Sequence, residues 1–149
     1  MKKVLSFVLA IALAISLCVC AVEATPLMDE SIAPMRASDY FSSYSVSATG
    51  GVEGDVAITI SIRAKKTMDS IGATKIVIQE KDGSRWQEAY TKTGTIYNGL
   101  LDSDARGFRG SYTYSGISGK TYRAIVTLYA KDAFGSDLKT VTTNSVVAK

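Results

Sequence analysis

The chain has 149 residues, 46% of them hydrophobic, and a formal net charge of +3, which is the composition of one ordinary globular domain. It contains no histidine, so the commonest general base and the commonest metal ligand in proteins are both missing. The charged residues are scattered along the sequence without a basic stripe, which argues against nucleic acid as a partner.

The N-terminus has the pattern of a secretory signal peptide. Two lysines precede an unbroken apolar run at residues 4–22, and small residues follow at the positions that signal peptidase reads. We expect cleavage after Ala24, with Ala21 as the alternative site, so that residues 1–24 are removed and the mature protein is secreted to the extracellular space. An uncleaved membrane anchor stays open as a second interpretation, because the run approaches the length that spans a bilayer.

Both cysteines of the chain, Cys18 and Cys20, lie inside this apolar run. Leu17 and Val19 precede them, whereas a lipid-modified cysteine follows a small residue, so we do not expect a lipoprotein. After cleavage the protein has no disulfide, no thiolate nucleophile and no cysteine-based metal site. We therefore expect no cofactor, no bound metal and no contact with the membrane, and a domain stabilised by its hydrophobic core alone.

The mature chain begins with residues 25–39, which contain both prolines and show no hydrophobic period, as expected of a linker or a disordered arm. Residues 40–149 then alternate between apolar and polar side chains. The alternation is clearest in DVAITISIRA at 55–64 and TYRAIVTLYA at 121–130, and it is typical of antiparallel strands with one buried and one wet face. LKTVTTNSVVA at 138–148 is expected to be a last strand, because threonine and valine are good strand formers.

Three segments between the predicted strands have the composition of connections. Residues 65–73 are expected to join two strands, with Met68 and Ile71 as plugs over one end of the core. Asp-Gly at 82–83 predicts a hairpin, because glycine supplies the positive φ that a tight turn needs. The Gly- and Asp-rich segment 94–108 is expected to be a long loop. About seven strands at intervals of roughly 8–15 residues, without a helix after the signal peptide, predict an all-β antiparallel β-sandwich.

One stretch resembles a known structural motif. KTYRAIVTLYAKDAFGSD at 120–137 is similar to the penultimate strand and following turn of immunoglobulin-like and fibronectin type III-like domains. The resemblance implies that fold, and it implies a structural role for Tyr122, whose hydroxyl would fold back onto the backbone. The chain departs from the pattern at Trp86, which follows the hairpin instead of lying on an early core strand, and it lacks the cysteine pair.

A second resemblance covers nearly the whole chain. The lysine-started signal, YFSSYSVSATGG, TMDSIGATKIVIQEKDGSRW and YRAIVTLYAKDAFGSD are similar to a set of short secreted proteins of Gram-positive bacteria, a family classed as a domain of unknown function. This resemblance implies a compartment and a size, and it implies no activity.

The candidate chemistry along the chain does not amount to a catalytic or metal site. Asp102, Asp104 and Gly107 have the opening spacing of a calcium loop, but Arg106 opposes a cation and the bidentate glutamate is missing. Ser118–Lys120 lies in a predicted turn beside no visible pocket. Glycoside hydrolysis needs a carboxylate pair, and nothing singles out two of the candidates by type, which are Glu53, Asp55, Glu80, Asp82 and Glu88. We therefore expect no catalytic residue and no enzyme.

The aromatic residues after the hairpin are the strongest candidates for ligand binding. Trp86, Glu88 and Tyr90 alternate along one predicted strand and are expected to share one wet face. Two exposed rings that flank a carboxylate suit stacking on sugar rings. The open alternative is that Trp86 packs into the core, since large aromatic side chains are mostly buried.

These observations predict a secreted, non-catalytic β-sandwich module that binds a cell-wall glycan, a host glycan or another surface protein. The alternative is a surface protein–protein interaction module that assembles by adding an edge strand. The threonine-rich last strand around Thr142 suits that role, because an unprotected strand edge is a template for pairing. A secreted hydrolase that works through carboxylates is the third and weakest interpretation.

Overall fold

The computed structural model describes residues 38–149, which form two antiparallel sheets and no helix. Within this range the strands are β1 (Phe41–Gly50), β2 (Asp55–Met68), β3 (Ser70–Asp82), β4 (Arg85–Thr93), β5 (Leu101–Asp102), β6 (Ala105–Ser115), β7 (Thr121–Asp132), β8 (Gly135–Thr142) and β9 (Val146–Val147). Sheet 1 has the order β1-β2-β6. Sheet 2 has the order β4-β3-β7-β8, with β5 added to β3 and β9 to β7. The predicted all-β antiparallel β-sandwich is confirmed.

The predictions for the N-terminal segment lie outside the described residues, apart from the last two positions of the predicted linker. Ser38 is tied to the sandwich. Its hydroxyl accepts hydrogen bonds from the backbone N–H groups of Tyr40 and Phe41 and donates one to Asp137 at 2.5 Å. The described fold therefore includes the three residues that precede β1.

The core lies between the sheets and follows the period of two that the sequence predicts. On β2 every second residue from Val56 to Ala64 is buried, and on β7 the same holds from Tyr122 to Asp132. Buried isoleucines of both sheets dominate this layer, where Ile58, Ile60, Ile76 and Ile78 are all 0% exposed. Burial of each such side chain stabilises the fold by roughly 1.5–3 kcal/mol.

The corner between β2 and β3 differs from the predicted connection at 65–73. β2 runs through Met68 and β3 begins at Ser70, although the two strands belong to different sheets. The prediction failed because both strands keep their partners up to the corner, where Met68 pairs with Ala105 and Ile71 with Asp102. The predicted role of Met68 and Ile71 as plugs is confirmed, since both are 0% exposed.

The segment predicted as one long loop, 94–108, is largely structured. A turn at 95–99 leads to buried Leu100, and β5 and β6 include most of the residues from 101 to 108. Gly94 makes the close approach possible, because a Cβ atom at this position would lie 1.7 Å from the Ala73 carbonyl oxygen. Glycine is the one residue that allows such contact between two backbones.

The predicted last strand, 138–148, is divided. β8 ends at Thr142 and β9 begins at Val146, and residues 143–145 between them belong to neither strand. Asn144 explains the break. Its side-chain amide accepts a hydrogen bond from the Ala48 N–H and donates one to the Ala48 carbonyl, both at 2.9 Å. An amide side chain thus pairs with β1 as a neighbouring strand would, and it joins the two sheets.

The tyrosine corner implied by the resemblance is present. The Tyr122 hydroxyl accepts a hydrogen bond from the Ile117 N–H at 3.0 Å and donates one to Glu80 Oε2 at 2.9 Å. Gly116 lies against the ring, where a Cβ atom would come within 2.7 Å of it. Tyr122 therefore holds the turn before β7 to the sandwich and has a structural role.

Candidate functional site

Trp86 lies on the surface of the sandwich and not in its core. Trp86 pairs with Lys81, and Glu88 pairs with Gln79, so both side chains share the outer face of sheet 2. Trp86 is absent from the buried core and half-buried on this face. The alternative in which it packs into the core is therefore wrong.

Arg123 of β7 orients the indole ring. Its guanidinium lies 4.2 Å from the centre of the Trp86 ring, and its Nε donates a hydrogen bond to Gln79 Oε1 at 2.8 Å. A guanidinium on an indole face is attracted by the ring quadrupole, by about 0.5–1 kcal/mol at exposed sites. We call the outer surface formed by Trp86, Glu88, Gln79 and Arg123 the Trp86 face.

Tyr90 does not share this face, which corrects the predicted trio. Ile78 pairs with Tyr90 while the next residue, Gln79, pairs with Glu88, so Ala89 is an extra residue in the strand. Such a bulge turns every side chain beyond it to the other face of the sheet. Tyr90 therefore points to the inner side with Ile78, although it remains 39% exposed at the open side of the sandwich.

Tyr90 is the middle ring of a stack of three tyrosines between the sheets. The Tyr112 ring lies 6.2 Å from the Tyr90 ring between centres, with 6° between the planes, and the Tyr114 ring lies 5.8 Å from it, with 25° between the planes. Burial, followed by the Tyr90 hydroxyl, raises the pKa of Tyr112 to about 12. Tyr90 thus packs against tyrosines of the other sheet and does not form one binding surface with Trp86 and Glu88.

Glu80, one of the carboxylates that were candidates by type, holds neighbouring parts of the chain together. Glu80 binds Lys120 at 2.9 Å and Tyr122 at 2.9 Å, and the Lys120 ammonium holds the pKa of Glu80 below its ordinary value. The same contact raises the pKa of Lys120, which leaves it protonated and unsuited as a base for Ser118. Among residues 38–149 no three acidic side chains converge on a point that could hold a metal ion.

The predicted wet face of sheet 1 contains a feature that the sequence analysis missed. Its end near β5 is an open depression with a volume of about 1150 Å³. Four basic side chains line it, two from β2 and two from β6, namely Arg63, Lys65, Arg106 and Arg109. These side chains are distant in sequence and are brought together by the antiparallel register, which sets Arg63 opposite Gly107 and Ser61 opposite Arg109. We call this feature the basic depression.

No helix within residues 38–149 is long and apolar enough to cross a membrane. No protein-family model matches the chain, and no curated protein matches it at a significant level. The resemblance to short secreted proteins of Gram-positive bacteria therefore stays a prediction.

Proposed function

We propose that the chain is a secreted, non-catalytic module that binds a cell-wall or host glycan through the Trp86 face. The observation that supports this proposal is the position of Trp86, the only tryptophan of the chain, on the outside of a sheet. Large aromatic side chains are usually buried, so an ordered one on the surface has a reason to be there. A ring held on the outer face of a sheet is available to stack on a ligand.

The contacts around Trp86 suit a sugar ring. Arg123 covers one side of the indole and is itself held by Gln79, so the ring is held in place. Glu88 lies in the next row of the same face, beside Gln79. An aromatic ring stacks on the apolar face of a sugar while a carboxylate accepts hydrogen bonds from its hydroxyl groups. Trp86 and Glu88 therefore remain the proposed binding residues, and Tyr90 leaves the set.

The test is retention of the mature chain, residues 25–149, on insoluble cell-wall preparations. We expect Trp86→Ala to abolish retention with little change in melting temperature. The matched control is Leu138→Ala, because Leu138 is an apolar side chain on the same sheet, 56% exposed, on β8, three strands away from β4, which contains Trp86. The control should bind like the parent. Equal retention of the Trp86→Ala variant would contradict the proposal.

Assembly through an edge strand is a second candidate, supported by β8. Among the described residues β8 pairs only with β7, and its eight residues contain no proline. A free edge of this kind can pair with another chain. Thr142→Pro should then abolish a concentration-dependent increase in size, measured by light scattering, without any effect on glycan retention. A chain that stays monomeric at every concentration contradicts this candidate.

A further inference from the structure

We propose that the basic depression on sheet 1 binds the phosphate or sulfate groups of an anionic polysaccharide. This inference goes beyond the glycan site proposed above, because it concerns the opposite face of the sandwich and a different chemistry. It rests on three properties of the depression: the side chains of its floor, its unbalanced charge and its shape.

The floor of the depression is made of short polar side chains. Ser43 pairs with Arg63 across β1 and β2, and Ser61 pairs with Arg109 across β2 and β6. Ser42 and Gly107 also belong to the lining. The long basic side chains therefore lie next to short side chains that carry hydroxyl groups. Serine hydroxyls donate hydrogen bonds to oxyanions, as guanidinium groups do.

The charge of the depression is not balanced by the protein itself. Arg63, Lys65, Arg106 and Arg109 are all exposed. The ion pairs found among residues 38–149 involve other basic residues, namely Lys66, Lys120 and Lys139. The one acidic side chain in the lining is Asp102. A cluster of like charges raises the local concentration of counter-ions, and an anion that binds there relieves the repulsion.

The backbone holds the basic side chains near one another. The Arg106 guanidinium donates a hydrogen bond to the Lys65 carbonyl at 3.0 Å, which links the end of β6 to β2. The register of the same two strands places Arg109 two residues from the position opposite Arg63. Guanidinium groups bind phosphate and sulfate through two parallel hydrogen bonds, so two arginines on one floor match tetrahedral oxyanions.

The shape of the depression favours a polysaccharide over a nucleic acid. Single-stranded nucleic acids bind where exposed aromatic rings stack on the bases. The one aromatic side chain in the lining, Phe108, is only 2% exposed and offers no such ring. The open volume of about 1150 Å³ exceeds what a single small ion needs and suits several units of a chain. A phosphate- or sulfate-bearing polysaccharide satisfies both the charge and the shape.

The experiment compares the full mature chain on immobilised dextran sulfate and on uncharged dextran. We expect retention on dextran sulfate alone and elution by rising salt, since salt screens exposed charges. The double variant Arg63→Ser/Arg109→Ser should lose affinity by roughly ten-fold or more, because each lost arginine removes charge-assisted hydrogen bonds. Equal retention on both matrices would overturn the proposal.

The matched control is Lys75→Ser/Lys131→Ser, which removes the same net charge from the outer face of sheet 2. Its affinity should stay within about two-fold of the parent, because exposed charges away from a site contribute little. An equal loss in both double variants would show that only net charge matters and would overturn the proposal. If Arg63→Ser/Arg109→Ser fails to fold, Arg63→Lys/Arg109→Lys replaces it, with a loss of several-fold expected since lysine lacks the planar fork.

Two further ligands identify the chemistry that is recognised. Polyphosphate in place of dextran sulfate tests whether the depression recognises phosphate or sulfate groups. Binding of either polymer supports the site. Tighter binding of a single-stranded oligonucleotide than of both anionic polymers would overturn the choice of a polysaccharide. Failure of this site leaves retention on cell walls through Trp86 untouched, because Arg63→Ser/Arg109→Ser and Trp86→Ala alter opposite faces.

Discussion

The two long sides of the sandwich are closed by different chemistry. On one side, where β1 and β8 lie at the sheet edges, Asn144 binds both backbone groups of Ala48. On the other side, where β6 and β4 lie at the edges, Tyr90 packs against Tyr112 and Tyr114. The predicted binding residue Tyr90 therefore helps to close a side of the fold, and of the two predicted rings only Trp86 lies on the outer face of sheet 2.

The largest loss of stability is expected from removing a tyrosine ring on the side of the sandwich where Tyr90, Tyr112 and Tyr114 pack together. We call this side the tyrosine side. The centre of the Tyr114 ring lies 5.8 Å from that of Tyr90 and 5.7 Å from that of Tyr122. Tyr114→Ala therefore removes two aromatic contacts and leaves a gap beside the core. We expect the free energy of unfolding to fall by about 3 kcal/mol, measured by urea denaturation. Tyr97→Ala is the control, because Tyr97 is fully exposed and its loss should change stability by less than about 0.5 kcal/mol. Similar losses in both variants would mean that the stack contributes nothing.

Removing the Asn144 side chain, which closes the other side of the sandwich, should cause a smaller but measurable loss of stability. Asn144→Ala removes two hydrogen bonds and leaves the Ala48 backbone unpaired, which costs about 1–2 kcal/mol in urea denaturation. Asn144→Asp keeps the acceptor and loses the donor, so its loss should be smaller than that of Asn144→Ala at neutral pH. A variant Ser145→Ala, one residue along, is expected to match the parent. An unchanged Asn144→Ala variant would contradict the proposed closure of this side.

Alkaline pH should reduce the contribution of Tyr112 to the free energy of unfolding. Tyr112 ionises near its ordinary value of 10.0 in the unfolded chain and at about 12 in the folded protein. Its contribution is therefore fully present below pH 10 and is lost as the pH rises toward 12. Tyr112→Phe should make the fall of the urea midpoint over this range less steep than in the parent.

Other groups also lose protons in this pH range, so the alkaline test depends on the difference between the parent and the variant. The pKa of Lys120 is also raised, by Glu80, and that contact weakens as the lysine loses its proton. Tyr97→Phe serves as control, with the slope of the parent expected. Identical slopes in the parent and in Tyr112→Phe would contradict a raised pKa at this position.

The smallest effect on stability is expected at Trp86. The ring lies outside the core, and its main described contact is Arg123. Trp86→Ala should lower the free energy of unfolding by less than about 1 kcal/mol, as for most surface substitutions. A loss of several kcal/mol would mean that the ring supports the fold and that a binding role is unnecessary.

The candidate site could be predicted only in part. Trp86 and Glu88 were placed on one face by their alternation, and the bulge at Ala89 then separated Tyr90 from them. An extra residue in a strand leaves the local pattern of RWQEAYT unchanged, because its cause lies in the pairing with β3. The basic depression was missed for a related reason: Arg63 and Arg109 are distant in sequence and are brought together by strand register alone.

The fold class, the inner faces of the strands and the hairpin at Asp82–Gly83 could be predicted from the sequence alone, and the resemblance of residues 120–137 implied the corner role of Tyr122. Each of these depends on local properties: a period of two, the positive φ of glycine, or a tyrosine near a turn. The tertiary structure decided which side Tyr90 faces, which backbone Asn144 binds and which arginines become neighbours. These outcomes depend on register and on contacts between distant strands, and no local pattern of side chains encodes them.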